Sequence, residues 1–189
     1  MRDFNSRELR FAVGEYYSNE EIYSALRVGN AGGVRPCLDA ARNVQHLAIL
    51  TSTGTPRQLD ENPYHDRLEG DVLIYTGAGK DGDQHVTGNN ARIIQQLDSR
   101  FPMFGFLQTQ SRRVKSGDNK RWKFIGLLEF LRGYREQQLD SAGKPRFVWI
   151  FELRTHIPES PVDVVSARDF MSSSSPVPLK QNSTKIEKL

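Results

Sequence analysis

Cysteine occurs once in these 189 residues, at Cys37. A single thiol rules out an intrachain disulfide and a cysteine-built zinc site, and it points to a reducing compartment. Histidine is nearly as scarce. His46, His65, His85 and His156 lie far apart, with neither the i, i+4 pairing nor the clustering that a metal centre or a histidine-based nuclease needs. No apolar run approaches the roughly 20 residues that span a bilayer, and "MRDFNSRELRF" lacks a secretory hydrophobic region. No G-x-S-x-G elbow occurs, and the serines gather near the C-terminus. These absences lead us to expect an intracellular, soluble protein with no membrane partner, no resident metal and no cofactor.

The chain does carry enough apolar material for one good core, with 37% hydrophobic and 10% aromatic residues. Its formal charge is only +3, but the charge is unevenly placed. Between Gln110 and Arg146 there are ten basic residues against four acids, so that segment is +6 and the remainder −3. Clustered positive charge is the footprint of a polyanion site, and a solvated basic face would give the same count.

Secondary-structure signals divide the chain. In "YYSNEEIYSALRVGN", Ser18 and Glu21 make a capping box, Ile22, Ala25 and Leu26 an apolar stripe, and Gly29-Asn30 a stop. "VQHLAILTS" reads as a buried strand, "TGTPRQLDENPYHDRLEG" as a long polar loop, and "NNARIIQQLDSRF" as a short helix. "MFGFLQTQ", "WKFIGLLEFLRGYREQQ" and "PRFVWIFELRTH" follow as strands, the last two joined through "LDSAGKP". Successive strands without intervening helices predict an α+β fold, an antiparallel sheet or barrel flanked by two or three helices. We expect an N-terminal extension over 1–17, a domain over 18–170, and a Ser/Pro-rich linker or tail over 171–189.

The stretch "DVLIYTGAGKDGDQ" sets an apolar strand against a glycine loop. Gly77, Gly79 and Gly82 match G-x-G-x-x-G, but no helix follows at once to face a pyrophosphate, and Asp81 and Asp83 would repel one. Asp81-x-Asp83 could hold a hard cation, or simply form a solvated turn. Glu152 sits on a strand without the lysine that a two-metal nuclease would place beside it. The aromatic residues suggest other chemistry. Tyr64 and Tyr75 bracket Asp66, so two flat rings and one carboxylate could meet a planar base, stacking on its faces and accepting from an exocyclic amine. Two ordinary tyrosines and a loop aspartate would show the same spacing, and the residues alone leave both readings open.

At these residues the chain resembles the SRA (SET- and RING-associated, or YDG) domains, a branch of the PUA-like barrels that binds modified cytosine in DNA. "YTGAG" after an apolar strand, the "GNNA" helix start, and Asp66 nine positions before Tyr75 carry the resemblance. "GGVRP" with "HLAILTSTG" upstream and "FVWIFELR" downstream extend it over roughly residues 25 to 155. It is most similar to the shorter modules of bacterial modification-dependent (type IV) restriction enzymes, commonly fused to an HNH nuclease. The resemblance implies a twisted PUA-like, SRA-like β-barrel that takes a flipped 5-methylcytosine or 5-hydroxymethylcytosine from double-stranded DNA. It also implies a pocket of Tyr64, Asp66, Tyr75, Thr76 and Gly77. Tyr75 would stack on the base, Asp66 would accept from its amine, and Tyr64, one position nearer to Tyr75 than in the family, would form the opposite wall. "KDGDQHVTG" is shorter than the finger loop of eukaryotic members, which argues against strict reading of hemimethylated CpG. Arg112, Arg113, Lys115, Lys120 and Arg121, from the basic segment, are the expected phosphate contacts. The chain is thus expected to be a binding module without catalytic residues. A metal-dependent nuclease and a PUA-like RNA-binding protein are the alternatives.

Overall fold

Local signals account for the helices. The computed structural model describes residues 9–53, 64–108, 121–140 and 142–174. Helix α1, Asn19–Leu26, begins with the reciprocal capping box: Glu21 N donates to Ser18 Oγ at 3.1 Å, and Ser18 N to Glu21 Oε2 at 2.7 Å. It ends where Arg27 turns left-handed, and it buries Ile22 and Leu26. Helix α2, Gly88–Ser99, buries Ile93. Helix α3, Val164–Ser173, is capped by Asp163, whose carboxylate accepts from Ser166 N, and it buries Ala167 and Met171.

The strands are β1 Tyr16–Tyr17, β2 Val34–Leu38, β3 Val44–Thr51, β4 Arg67–Glu69, β5 Val72–Thr76, β6 Met103–Gln108, β7 Trp122–Leu139 and β8 Pro145–His156. They form one sheet in the order β2-β3-β6-β7-β8-β5-β4, with β1 on β7. Every pair is antiparallel except β3 with β6, the crossover that carries β4, β5 and α2. The α+β class is as expected. The sheet is twisted but not closed, because β2 and β4 end the hydrogen-bonded path instead of pairing with each other.

Both faces of the sheet are covered, which is why its central strands read as nearly continuous apolar runs. Along β3 the alternation sends Ala48 and Leu50 to one core and Leu47 and Ile49 to the other. The first core gathers Phe11, Phe104, Phe106 and Phe124 under α1 and α3. The second holds Val34, Tyr75, Ile93, Trp149 and Phe151 beneath α2. Burying an aliphatic or phenylalanine side chain of this kind contributes about 1.5–3 kcal/mol.

Two boundaries need correction. Phe11, placed in an N-terminal extension by its sequence position, is fully buried and pairs with Val162 through backbone bonds of 2.7 and 2.9 Å. Met171, assigned to the tail, is a buried residue of α3. The folded body therefore includes residues 9–17 and runs through Ser174.

Candidate functional site

The topology brings the C-terminal ends of β3, β5 and β6 beside the first residues of β2 and β7. A cleft of about 450 Å³ opens there, with Thr51, Tyr64, Asp66, Tyr75 and Thr76 on its walls.

Asp66 is fixed at both oxygens. Thr51 Oγ1 donates to Oδ2 at 2.6 Å, and Thr76 N donates to Oδ1 at 2.7 Å. Burial lifts its carboxyl from 3.8 to about 6, against the pull of these hydrogen bonds. Each oxygen keeps a further lone pair, so the ionised group can accept from an amine in the cleft. Tyr64 is half-buried and bonded to the Gly79 backbone; burial raises its phenol. Tyr75 is only 5% exposed, so it belongs to the second core and offers the cleft a small part of its ring. Burial, then the nearby Asp66 charge, holds its phenol well above the ordinary value. Tyr75 fits because position 33 is glycine: a Cβ there would lie 2.5 Å from the phenolic oxygen and 3.1 Å from Leu50 O.

The glycine loop is held from behind by two buried amides. Gln84 Nε2 donates to Gly77 O at 2.6 Å and Gly79 O at 3.0 Å, while its Oε1 accepts from Trp149 N at 2.9 Å. Asn90 Oδ1 accepts from Ala78 N at 2.7 Å, and its Nδ2 donates to Ala78 O and His85 O. A Cβ at Gly77 would sit 2.9 Å from both side-chain oxygens, so this glycine serves loop packing and does not line the cleft. Arg146 Nη1 adds a bond to Gly79 O at 2.7 Å. The loop's polar groups are thus directed at protein partners, unlike those of a phosphate cradle.

Of the residues expected in a base pocket, Tyr64, Asp66, Tyr75 and Thr76 meet in one cleft. Arg121 lines it too. Arg112, Arg113, Lys115 and Lys120 lie outside the described residues. Sequence reasoning missed Thr51, Gln84, Asn90 and the buried Arg35, which also lines the cleft. All four lie inside quoted stretches, Arg35 in "GGVRP", Thr51 in "HLAILTSTG", Gln84 at the end of "DVLIYTGAGKDGDQ" and Asn90 in "GNNA", but nothing local to those stretches marks their roles.

The acids weighed for a nuclease are engaged elsewhere. Asp83 accepts from Phe147 N at 2.8 Å and faces Arg135 at 3.7 Å. Glu152 takes a two-pronged contact from Arg132 at 2.7 and 2.8 Å. Among the described residues, no three His, Cys, Asp or Glu side chains are grouped to hold a metal ion.

No family model and no curated protein matches the chain. Solved structures do. An SRA domain of SUVH5, in complex with fully methylated CG DNA, superposes with a TM-score of 0.54 at 20% identity, over 80% of this chain and 93% of that one. KRYPTONITE, in complex with mCHH DNA, an H3(1-15) peptide and SAH, gives 0.57 at 16% identity over 85% of this chain and 35% of its own. The type IV phosphorothioation-dependent restriction endonuclease ScoMcrA gives 0.54 at 17% identity, over 84% and 28%. The chain spans about a third of the last two.

Proposed function

The chain has an SRA-like fold, and from it we propose that the protein binds duplex DNA carrying 5-methylcytosine or 5-hydroxymethylcytosine by rotating the modified base into the cleft. The observation that carries this reading is Asp66, a buried carboxylate fixed by two donors at the wall of a cleft flanked by Tyr64 and Tyr75. Such a group discriminates chemically: ionised, it accepts from the amine of cytosine and repels the carbonyl oxygen that thymine carries at the same place. The likeness to SRA domains bound to methylated and hydroxymethylated CG DNA supports the choice of base. Extrusion costs a few kcal/mol, which stacking at about 1–3 kcal/mol per base and phosphate contacts from the basic segment offset.

The likeness to ScoMcrA supports a role as the specificity part of a modification-dependent restriction system, in which a fused or associated nuclease, of HNH type, cuts. The chain itself then binds without cleaving. Gel-shift titration against identical duplexes bearing cytosine, 5-methylcytosine or 5-hydroxymethylcytosine tests the first proposal; equal affinity for all three sinks it. Incubation with magnesium or manganese tests the second, and nicking by the isolated chain would overturn it. A single-stranded RNA competitor that displaced modified DNA at equal concentration would favour an RNA-binding protein instead.

A further inference from the structure

Arg35 is the most deeply buried cation lining the cleft. It projects from β2, is 5% exposed, and is held by neutral acceptors alone: Nε donates to Gly32 O at 2.8 Å and Nη1 to Asn19 Oδ1 at 2.7 Å. Among the described residues no carboxylate pairs with it, and its Nη2 donates to nothing. Burial lowers its pKa, with no neighbouring acid acting the other way. The carboxylate of the same cleft gives no relief, because none of the influences on Asp66 is a cation. Buried charges are ordinarily paired, since an unpaired one forfeits hydration without a Coulombic return. Here two neutral acceptors fix the plane of the guanidinium and leave one edge unused beside a ligand-sized opening. That arrangement suits an oxyanion, for which the arginine fork is well matched.

A nucleotide brings its phosphodiester with it. We propose that Arg35 grips a phosphate oxygen of the extruded nucleotide, so that the cleft reads a base together with its own backbone phosphate. This rests on the function proposed above and adds a consequence. Cations of the basic segment such as Arg112 and Arg113 are expected to bind modified and plain DNA alike, whereas Arg35, set inside the cleft, contributes only when a nucleotide has entered it. It would also offset the repulsion between ionised Asp66 and an incoming phosphate.

The test is a double-mutant cycle between protein and DNA. Duplexes with one 5-methylcytosine carry a neutral methylphosphonate at one or the other linkage flanking that base. Wild-type affinity should fall by roughly tenfold or more at one of the two linkages, the scale of a charge-assisted hydrogen bond. Arg35→Gln should show that loss already on the all-phosphate duplex and no further loss on the neutral one, with plain DNA unaffected. Arg35→Lys, which keeps the charge, should retain part of the wild-type sensitivity. It also replaces Arg35→Gln in the cycle if thermal melting shows the glutamine variant unfolded. Equal neutral-linkage losses in wild type and variant, or a variant that weakens modified and plain DNA alike, overturn the clamp while the base-reading proposal stands. A wild-type chain that does not prefer modified DNA removes both.

Discussion

Replacing Asp66 with asparagine should strengthen the fold and weaken recognition. Its carboxyl is raised from 3.8 to about 6 by burial. The folded state therefore holds the proton more tightly than the unfolded chain, so the wild type loses stability as pH rises from about 4 to 6 and stays at the lower level above. At about 1.4 kcal/mol for each pH unit, the ionised group destabilises the protein by up to about 3 kcal/mol at pH 7.5. Asparagine is neutral at every pH. It keeps an acceptor for Thr76 N, but the Thr51 hydroxyl, which donates to Oδ2 at 2.6 Å, must turn to accept, a loss of about 1 kcal/mol. The net expectation is a gain of about 1–2 kcal/mol at pH 7.5, a rise in Tm of roughly 2–8 °C for a domain of this size. At pH 4 the wild-type carboxyl is itself protonated, so the gain should disappear and leave at most the Thr51 loss of about 1 kcal/mol against the variant. Affinity moves the other way: the variant should bind modified DNA less tightly at pH 7.5, and wild-type affinity should decline as pH falls through about 6. Denaturant melts and binding titrations at both pH values measure all four quantities. A variant destabilised equally at pH 4 and 7.5, or one that binds as the wild type does, would refute the reasoning.

Other substitutions separate wall from scaffold. Tyr64→Ala should lower affinity for any extruded base by about 1–3 kcal/mol with little change in denaturant midpoint, since Tyr64 is only half-buried; a large loss of stability would place it in the core instead. Gly33→Ala should destabilise the fold and empty the cleft together, because the new methyl meets the Tyr75 oxygen and Leu50 O; an unchanged melt would contradict the close approach. Gln84→Ala leaves Trp149 N and Gly77 O without their side-chain partner and Gly79 O with one donor fewer, Arg146 remaining, and should cost about 1–3 kcal/mol in stability, with weakened binding as the glycine loop loosens. Changing Arg112 and Arg113 together to alanine should weaken modified and plain DNA by similar factors and reduce the salt dependence by up to about two contacts; selective loss of modified DNA would move them into the base site.

What could be read in advance follows the range of each interaction. Helix α1 was visible because its capping box lies within four residues, and β3, β6, β7 and β8 because their apolar runs have no polar competitor. Strand β4 was hidden: Arg67, Leu68 and Glu69 are all exposed, so it shows no buried alternation, and it sits at the edge of a stretch that reads as polar loop. Helix α3 was obscured by the serine run that ends it, although Asp163 and Ser166 form its box. In the cleft, Asp66 and Tyr75 were legible through their spacing to the glycine loop. Gln84 was not, because its acceptor role is to Trp149, 65 residues away. Arg35 looked like any charge at a strand start until the fold buried it.

The most direct measurement places 2-aminopurine immediately beside a single 5-methylcytosine, where its fluorescence is quenched while the neighbouring base stays stacked. Binding of the chain should raise that fluorescence on the modified duplex and leave the unmodified one dark, with Asp66→Ala giving a smaller rise. Tight binding to modified DNA with no rise would contradict extrusion into the cleft.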